Sequence, residues 1–150
     1  AIARVLAVHL GRIQPETAML TGLVHNIGIF YLLFRAAEYP EYRNNEPAMI
    51  ELLAGWHEGI GESLLHILGL PAAITDAVRD QSHLSPVETP STISDVLYFA
   101  IALAGNGLPW QSSTQDAEEV ARREADCMRY ADLLKTAEDD IIELRAALSA

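Results

Sequence analysis

One long apolar stretch decides the fold: PETAMLTGLVHNIGIFYLLF, residues 15–34. Proline at its start suits the first turn of a helix, because the missing N–H would have no partner there. Large apolar residues then recur at helical spacing, namely Leu20, Leu23, Val24, Ile27, Tyr31 and Phe34. Since this helix is apolar on nearly every side, we expect it to be the central helix of the protein.

The part from Ala18 to Phe34 is also the one segment worth testing as a membrane span. It is shorter than the roughly 20 residues that a span needs, and His25 and Asn26 lie at its centre. Polar side chains are costly in the middle of a bilayer. The sequence therefore favours a buried core helix, and we expect no membrane as a partner.

Helix signals continue on both sides of this stretch, and strand signals are weak. Polar residues predict loops at Tyr39–Pro47, His83–Pro90 and Gly105–Ser113. Apolar spacing predicts the other helices, at Ala1–Leu10, about Ala48–Leu68, around Ile74–Gln81, Ile93–Ala104, about Asp116–Leu134 and Ala137–Leu148. We predict an all-α bundle of about six helices, with its core in residues 1–104 and with residues 105–150 forming helices that pack on the same domain.

Local signals refine the ends of these helices. Ser91 can cap the helix that follows it, and Asp95 falls in the first turn, where the helix dipole favours a carboxylate. Thr136 and Asp139 have the spacing of a capping box. Gly59 and Gly61 each cost roughly 1 kcal/mol inside a helix, so we expect close helix–helix approach as compensation.

Charge and cysteine content limit the partners and the compartment. The chain has 21 acidic and 10 basic residues, and such a surface repels phosphates, so nucleic acid is not an expected partner. With Cys127 as its one cysteine, the chain cannot form an internal disulfide, and a reducing, cytoplasmic compartment is the simplest expectation. Because the sequence begins at Ala1 instead of Met, we expect the start of the domain to be truncated.

Three segments carry a family resemblance. They are GLVHNIG (Gly22–Gly28), GWHEGIGESLL with the following GLP (Gly55–Pro71), and AVRDQSH (Ala77–His83). Over about Ala1–Ala104, their order and spacing resemble the HDOD domain family, the signalling relatives of HD-type metal-dependent phosphohydrolases. The resemblance implies a helical bundle of the HD type and a bacterial signal-transduction role.

The resemblance also implies where a metal would bind. In HD phosphohydrolases, imidazoles and carboxylates hold a metal that lowers the pKa of a bound water. His25 matches the histidine of the family's adjacent His-Asp pair, and His57 matches the histidine of the following helix. Asn26 stands where the aspartate is expected, and an amide binds a hard cation weakly and accepts no proton.

The remaining ligand positions depart further from the pattern. Gln81 and Ser82 fall where relatives often have two adjacent histidines, and Ile101 falls where the family's final aspartate is expected. The leading histidine of HD enzymes would lie before Ala1. Since a catalytic site usually has three or more protein ligands, we expect a degenerate site that holds no metal or other cofactor.

Simpler interpretations stand beside the functional ones. His25 and His57 would be buried, neutral histidines with hydrogen-bond partners, and Asn26 could bond to either ring or to a backbone carbonyl. Trp56 is interpreted as a packing residue. Trp110 lies in the predicted loop GNGLPWQSS, where an exposed aromatic could anchor a partner.

Together these observations favour a non-catalytic regulatory module that acts through protein–protein interaction. The expected partner is another signalling protein, a fused domain or a second copy of the chain. Two alternatives stay open. One is a residual metal-dependent phosphohydrolase acting on a nucleotide or cyclic dinucleotide, and the other is a small-ligand sensor that uses the vestigial pocket.

Overall fold

The structure, a computed structural model, describes residues 1–81, 87, 89–105 and 117–149. Within these residues the chain forms helices and no strand, so the all-α prediction is confirmed. The helices are α1 (Ile2–Leu10), α2 (Pro15–Val24), α3 (Ile27–Ala36), α4 (Pro40–Arg43), α5 (Glu46–Ile67), α6 (Ala72–Arg79), α7 (Ile93–Leu103), α8 (Ala117–Thr136) and α9 (Glu138–Ser149). These nine exceed the predicted six, partly because the apolar stretch is divided in two. Most of the loops predicted at His83–Pro90 and Gly105–Ser113 lies outside the described residues.

The expected central helix is interrupted, and one side of it faces solvent. His25 and Asn26 form a turn between α2 and α3, where the backbone N–H groups of Ile29 and Phe30 both donate to the Asn26 carbonyl. Phe30 is 66% exposed and Phe34 is 70% exposed. The prediction of a helix buried all round was therefore wrong, because an apolar side chain at helical spacing is buried only where another element covers it.

Helix α7 occupies the central position instead. Its residues 95–100 are all buried, including the aromatic pair Tyr98 and Phe99. They pack against the buried alanines and Leu6 of α1 and against Ala18 of α2. The largest cluster of buried residues thus joins α1, α2 and α7, and α7 is the helix around which the bundle is built.

Helix α5 packs closely against α3 and α6. A Cβ added at Gly28 would overlap the backbone carbonyl of His57 and would lie 2.8 Å from the Gly61 nitrogen. A Cβ on Gly61 would lie 3.2 Å from Val78 of α6 and 3.7 Å from the Gly28 nitrogen of α3. Close approach therefore explains Gly61, as expected, but not Gly59, beside which nothing lies within 4 Å.

Several local predictions need correction. Thr92, not Ser91, caps α7, and its hydroxyl and the Asp95 carboxylate form a reciprocal capping box. Thr136 is the last residue of α8 and donates to the Asp132 carbonyl, so it does not open a capping box with Asp139.

Two more predictions are wrong, and both concern exposed parts of helices. The predicted loop at Tyr39–Pro47 contains the short helix α4 and the first residues of α5, since Pro40 and Pro47 both occupy helix-start positions that suit proline. Trp56 is 64% exposed, so it is not the packing residue that was predicted.

The C-terminal helices contact the central cluster through α8. Tyr130 and Leu133 pack against that cluster, and the Arg129 guanidinium lies 5.4 Å from the centre of the Phe99 ring. Buried Asp126 pairs with Arg129 and accepts a hydrogen bond from the Tyr98 hydroxyl. These contacts place α8 against α7 in the structure.

By length and composition, Pro15–Ala36 is the one stretch among the described residues that could cross a membrane. Only 28% of its most apolar window is buried inside the protein. Core helices of soluble proteins and signal sequences pass the same test.

The approach of α3 to α5 yields a stability prediction. Replacing Gly28 with alanine should lower the free energy of unfolding by about 3 kcal/mol or more, because two backbones must separate to admit the methyl group. Gly55→Ala is the matched control, since nothing lies within 4 Å of Gly55 and alanine is favoured over glycine in a helix by up to about 1 kcal/mol. Urea denaturation followed by circular dichroism measures both changes. An unfolding free energy for Gly28→Ala equal to that of the unmodified chain would contradict the close contact.

Candidate functional site

A cavity of about 310 Å³ opens beside the turn between α2 and α3. Its apolar wall comes from α1 and from α7 with its C-terminal cap, through Ile2, Ala3, Leu97, Ala100, Ile101 and Ala104. Its polar side chains are His25, Asn26 and Arg145. A mostly apolar cavity with a few convergent polar groups has the composition of a ligand site, and its volume is at the small end of that class.

His25 stands at the C-terminal cap of α2. Its Nδ1 lies 2.9 Å from the Gly22 carbonyl oxygen, and because a carbonyl only accepts, Nδ1 is the protonated nitrogen. Burial lowers the pKa of His25, the hydrogen bond to Gly22 raises it, and the charge of His57 lowers it further, with a net decrease. The ring is therefore held neutral near pH 7, with Nε2 unprotonated.

His57 lies in the middle of α5 and is buried. Its Nδ1 donates to the Leu53 carbonyl oxygen at 2.7 Å, an arrangement equivalent to that of His25. The backbone carbonyl of His57 is the atom that α3 approaches at Gly28. Each imidazole is thus oriented by a carbonyl of its own helix, and each has the hydrogen-bond partner that the simpler interpretation required.

The other family-matched positions are only partly brought together. Gln81 is buried, and its Nε2 donates to the His25 backbone carbonyl at 3.3 Å. Asn26 is the N-cap residue of α3 without a side-chain capping bond, and it lines the cavity with Ile101. Ser82 and Trp110 lie outside the described residues.

Arg145 is the site residue that sequence reasoning missed. It projects from α9 into the lining of the cavity, about 120 residues along the chain from His25. Arginine on a charged amphipathic helix is ordinarily a solvated residue, and no motif marks this one. Only the packing of α9 could have revealed its position.

The side chains of the site differ from a metal-binding set. Among residues 1–81, 87, 89–105 and 117–149, no group of three or more His, Cys, Asp or Glu could hold a metal ion. The amide of Gln81 is engaged with a backbone carbonyl. In the part of the chain that the structure describes, the polar side chains of the cavity lining are an imidazole, an amide and a guanidinium, with no carboxylate. Catalytic metal sites usually combine three protein ligands with an open position.

Comparison with known proteins supplies one match. The family model for the HDOD domain matches residues 1–84, which extend from α1 through α6. The matched region includes His25, Asn26, His57 and Gln81, whereas Ile101 lies beyond it. Neither the curated proteins nor the solved structures contain a significant match to the chain.

The lowered pKa of His25 predicts how stability depends on pH. In the unfolded chain this histidine takes up a proton near pH 6.5, and in the folded chain it does so only at lower pH. Its contribution to stability is therefore complete above about pH 6.5 and is lost as the pH falls toward the folded pKa. Urea denaturation at pH 8 and pH 5.5 should show a smaller loss of stability for His25→Gln than for the unmodified chain. Equal losses in the two proteins would contradict a depressed pKa at His25.

Proposed function

The chain belongs to the HDOD domain family, and from that premise we propose that it is a non-catalytic signal-transduction module of a bacterial protein, acting in the cytoplasm by binding another protein. The observation that carries the proposal is the make-up of the family's metal-site positions. An amide occupies position 26, a second amide at Gln81 is bonded to the backbone, and an aliphatic side chain occupies position 101.

A phosphohydrolase of this family type would need a cation with carboxylate ligands and an activated water. His25 and His57 each offer one imidazole nitrogen, whereas Asn26 offers one uncharged oxygen and no base. The apolar wall around Ile101 leaves that side of the cavity without a ligand. These residues therefore do not fit a catalytic metal centre. The proposal accordingly includes the degenerate metal site that the sequence predicts.

The partner that this proposal favours is another signalling protein or a domain fused to the same chain. The net charge of −11 disfavours nucleic acid and anionic membrane surfaces. The helical framework around the site is closely packed, since α3, α5 and α6 contact one another through glycine and apolar side chains. A rigid framework with a site that does not catalyse suits recognition by another protein.

The cavity favours a second candidate, a small-ligand sensor. Its volume of about 310 Å³ and its three polar side chains could receive a small molecule, which would then stabilise the folded state. The residual phosphohydrolase has less support, because it rests on two imidazoles alone.

Metal analysis tests the main proposal. After incubation with Fe²⁺, Mn²⁺ or Zn²⁺ and removal of free ions, the protein should retain well below one ion per chain. It should also fail to hydrolyse bis(p-nitrophenyl) phosphate. His25→Ala and His57→Ala are the matched variants, and neither should change these results. A stoichiometric metal that both substitutions remove, together with phosphodiester cleavage, would overturn the proposal in favour of the residual enzyme.

A thermal-shift screen separates the interaction module from the sensor. Nucleotides and cyclic dinucleotides should leave the melting temperature unchanged if the chain acts only through protein contacts. A ligand at one hundred times its Kd would stabilise the fold by about 2.7 kcal/mol. Ala100→Leu adds bulk to the cavity wall and serves as the control. A shift seen in the unmodified protein and lost in this variant would favour the sensor.

A further inference from the structure

Six large apolar side chains are exposed along α2 and α3: Leu33, which is 40% exposed, and five others that follow one line along the helices. Leu20 is 40% exposed and Leu23 is 46% exposed, and Phe30, Tyr31 and Phe34 are 66%, 42% and 70% exposed. We call these five residues the α2–α3 stripe. An isolated exposed apolar residue is ordinary, but a contiguous group of this kind is typical of an interaction surface.

The five residues share one side of the two helices. Their spacing of three, seven, one and three positions follows the helical repeat. The turn between the two helices is short: His25 keeps helical dihedral angles (φ −58°, ψ −28°), and Asn26 departs from them (φ −96°, ψ 11°). The buried residues Ala18, Thr21, Ile29 and Leu32 lie on the opposite side, toward the rest of the bundle. The stripe is thus an exposed face that no described element covers.

The exposed area is sufficient for a small specific interface. An aromatic side chain contributes about 200 Å², so the three aromatic residues together expose on the order of 350 Å². The two leucines raise this above the roughly 400 Å² at which an apolar patch becomes an association surface. Two such faces in contact would bury about 1,000 Å², the lower limit for a specific protein–protein interface.

Charge indicates which partner suits this face. Residues 17–34 contain no Asp, Glu, Lys or Arg, although the whole chain has a net charge of −11. Two copies that met on an acidic surface would bring like charges together, whereas this face brings none. At its end, Arg35 and Glu38 neutralise each other in an ion pair of 2.8 Å. A basic partner would find no complementary carboxylate on the stripe, and an anionic lipid surface would find no cation.

We propose that the α2–α3 stripe is the interface of a two-fold symmetric dimer of this chain. In a two-fold symmetric dimer the same surface of each copy forms the interface, so the uncharged apolar stripe of one copy packs against the identical stripe of the other. Phe30 and Phe34 lie at the middle and end of the face, and across the two-fold axis they would pack against the partner's aromatic and leucine side chains. The inference rests on exposure and charge, so it holds whether or not the chain is a non-catalytic module.

Sedimentation equilibrium on the 150-residue chain tests the dimer. The mass should approach twice 16.4 kDa, with a Kd in the range of about 1–10 μM that suits an interface of this size. Phe30→Glu with Phe34→Glu should weaken association at least a hundredfold, because two charges per copy would be buried against apolar groups. Ile67→Glu is the matched control, since Ile67 is 79% exposed on α5 and lies outside the stripe.

Circular dichroism of each variant establishes that the helices are retained. If the double variant loses them, Phe34→Ala replaces it, and its Kd should rise at least tenfold. A monomeric unmodified chain at concentrations well above this range would overturn the proposal. So would a dimer that survives the loss of Phe34, or one that Ile67→Glu disrupts equally, since the interface would then lie elsewhere.

Discussion

The contact between the backbones of α3 and α5 is the constraint on which the rest of the structure depends. Gly28 lies against the His57 carbonyl, and Gly61 lies between Gly28 and Val78. Because these two positions have no side chains, α3 and α6 can both approach α5 closely. The approach places His57 beside the turn that carries His25, close enough for the charge of one ring to lower the pKa of the other. The close approach of the two backbones, more than any bond between the two rings, therefore brings His25 and His57 together as a polar cluster.

The cluster is joined to its surroundings by backbone carbonyls. His25 and His57 each donate to their own helix, and Gln81 connects the end of α6 to the turn through the His25 carbonyl. Buried polar groups with partners add specificity at little cost, whereas unpaired ones are strongly destabilising. The buried polar groups at these positions are therefore compatible with a stable fold.

Apolar periodicity predicted the fold class and the ranges of α5, α6 and α7 to within a few residues, because each has a clear start and stop signal. It failed for α2 and α3, since spacing identifies a helix but not the element that covers each side. Gly59 and Gly61 show the same limit. Each destabilises a helix by the same amount, and only the residues packed beside them in the structure show which glycine a close contact requires. The family pattern located His25, Asn26, His57 and Gln81, yet it could not place Arg145, whose role arises from the packing of a distant helix.

The orientation of the two imidazoles has a consequence for redesign. Each ring is fixed by a carbonyl three or four residues earlier in the chain, so its outer nitrogen keeps its direction whatever occupies the neighbouring positions. A protein engineer could introduce aspartate at position 26 or histidine at position 81 one at a time, beside imidazoles that backbone carbonyls already restrain. Each such substitution would add one ligand type to a folded bundle whose two histidines already have fixed hydrogen-bond partners.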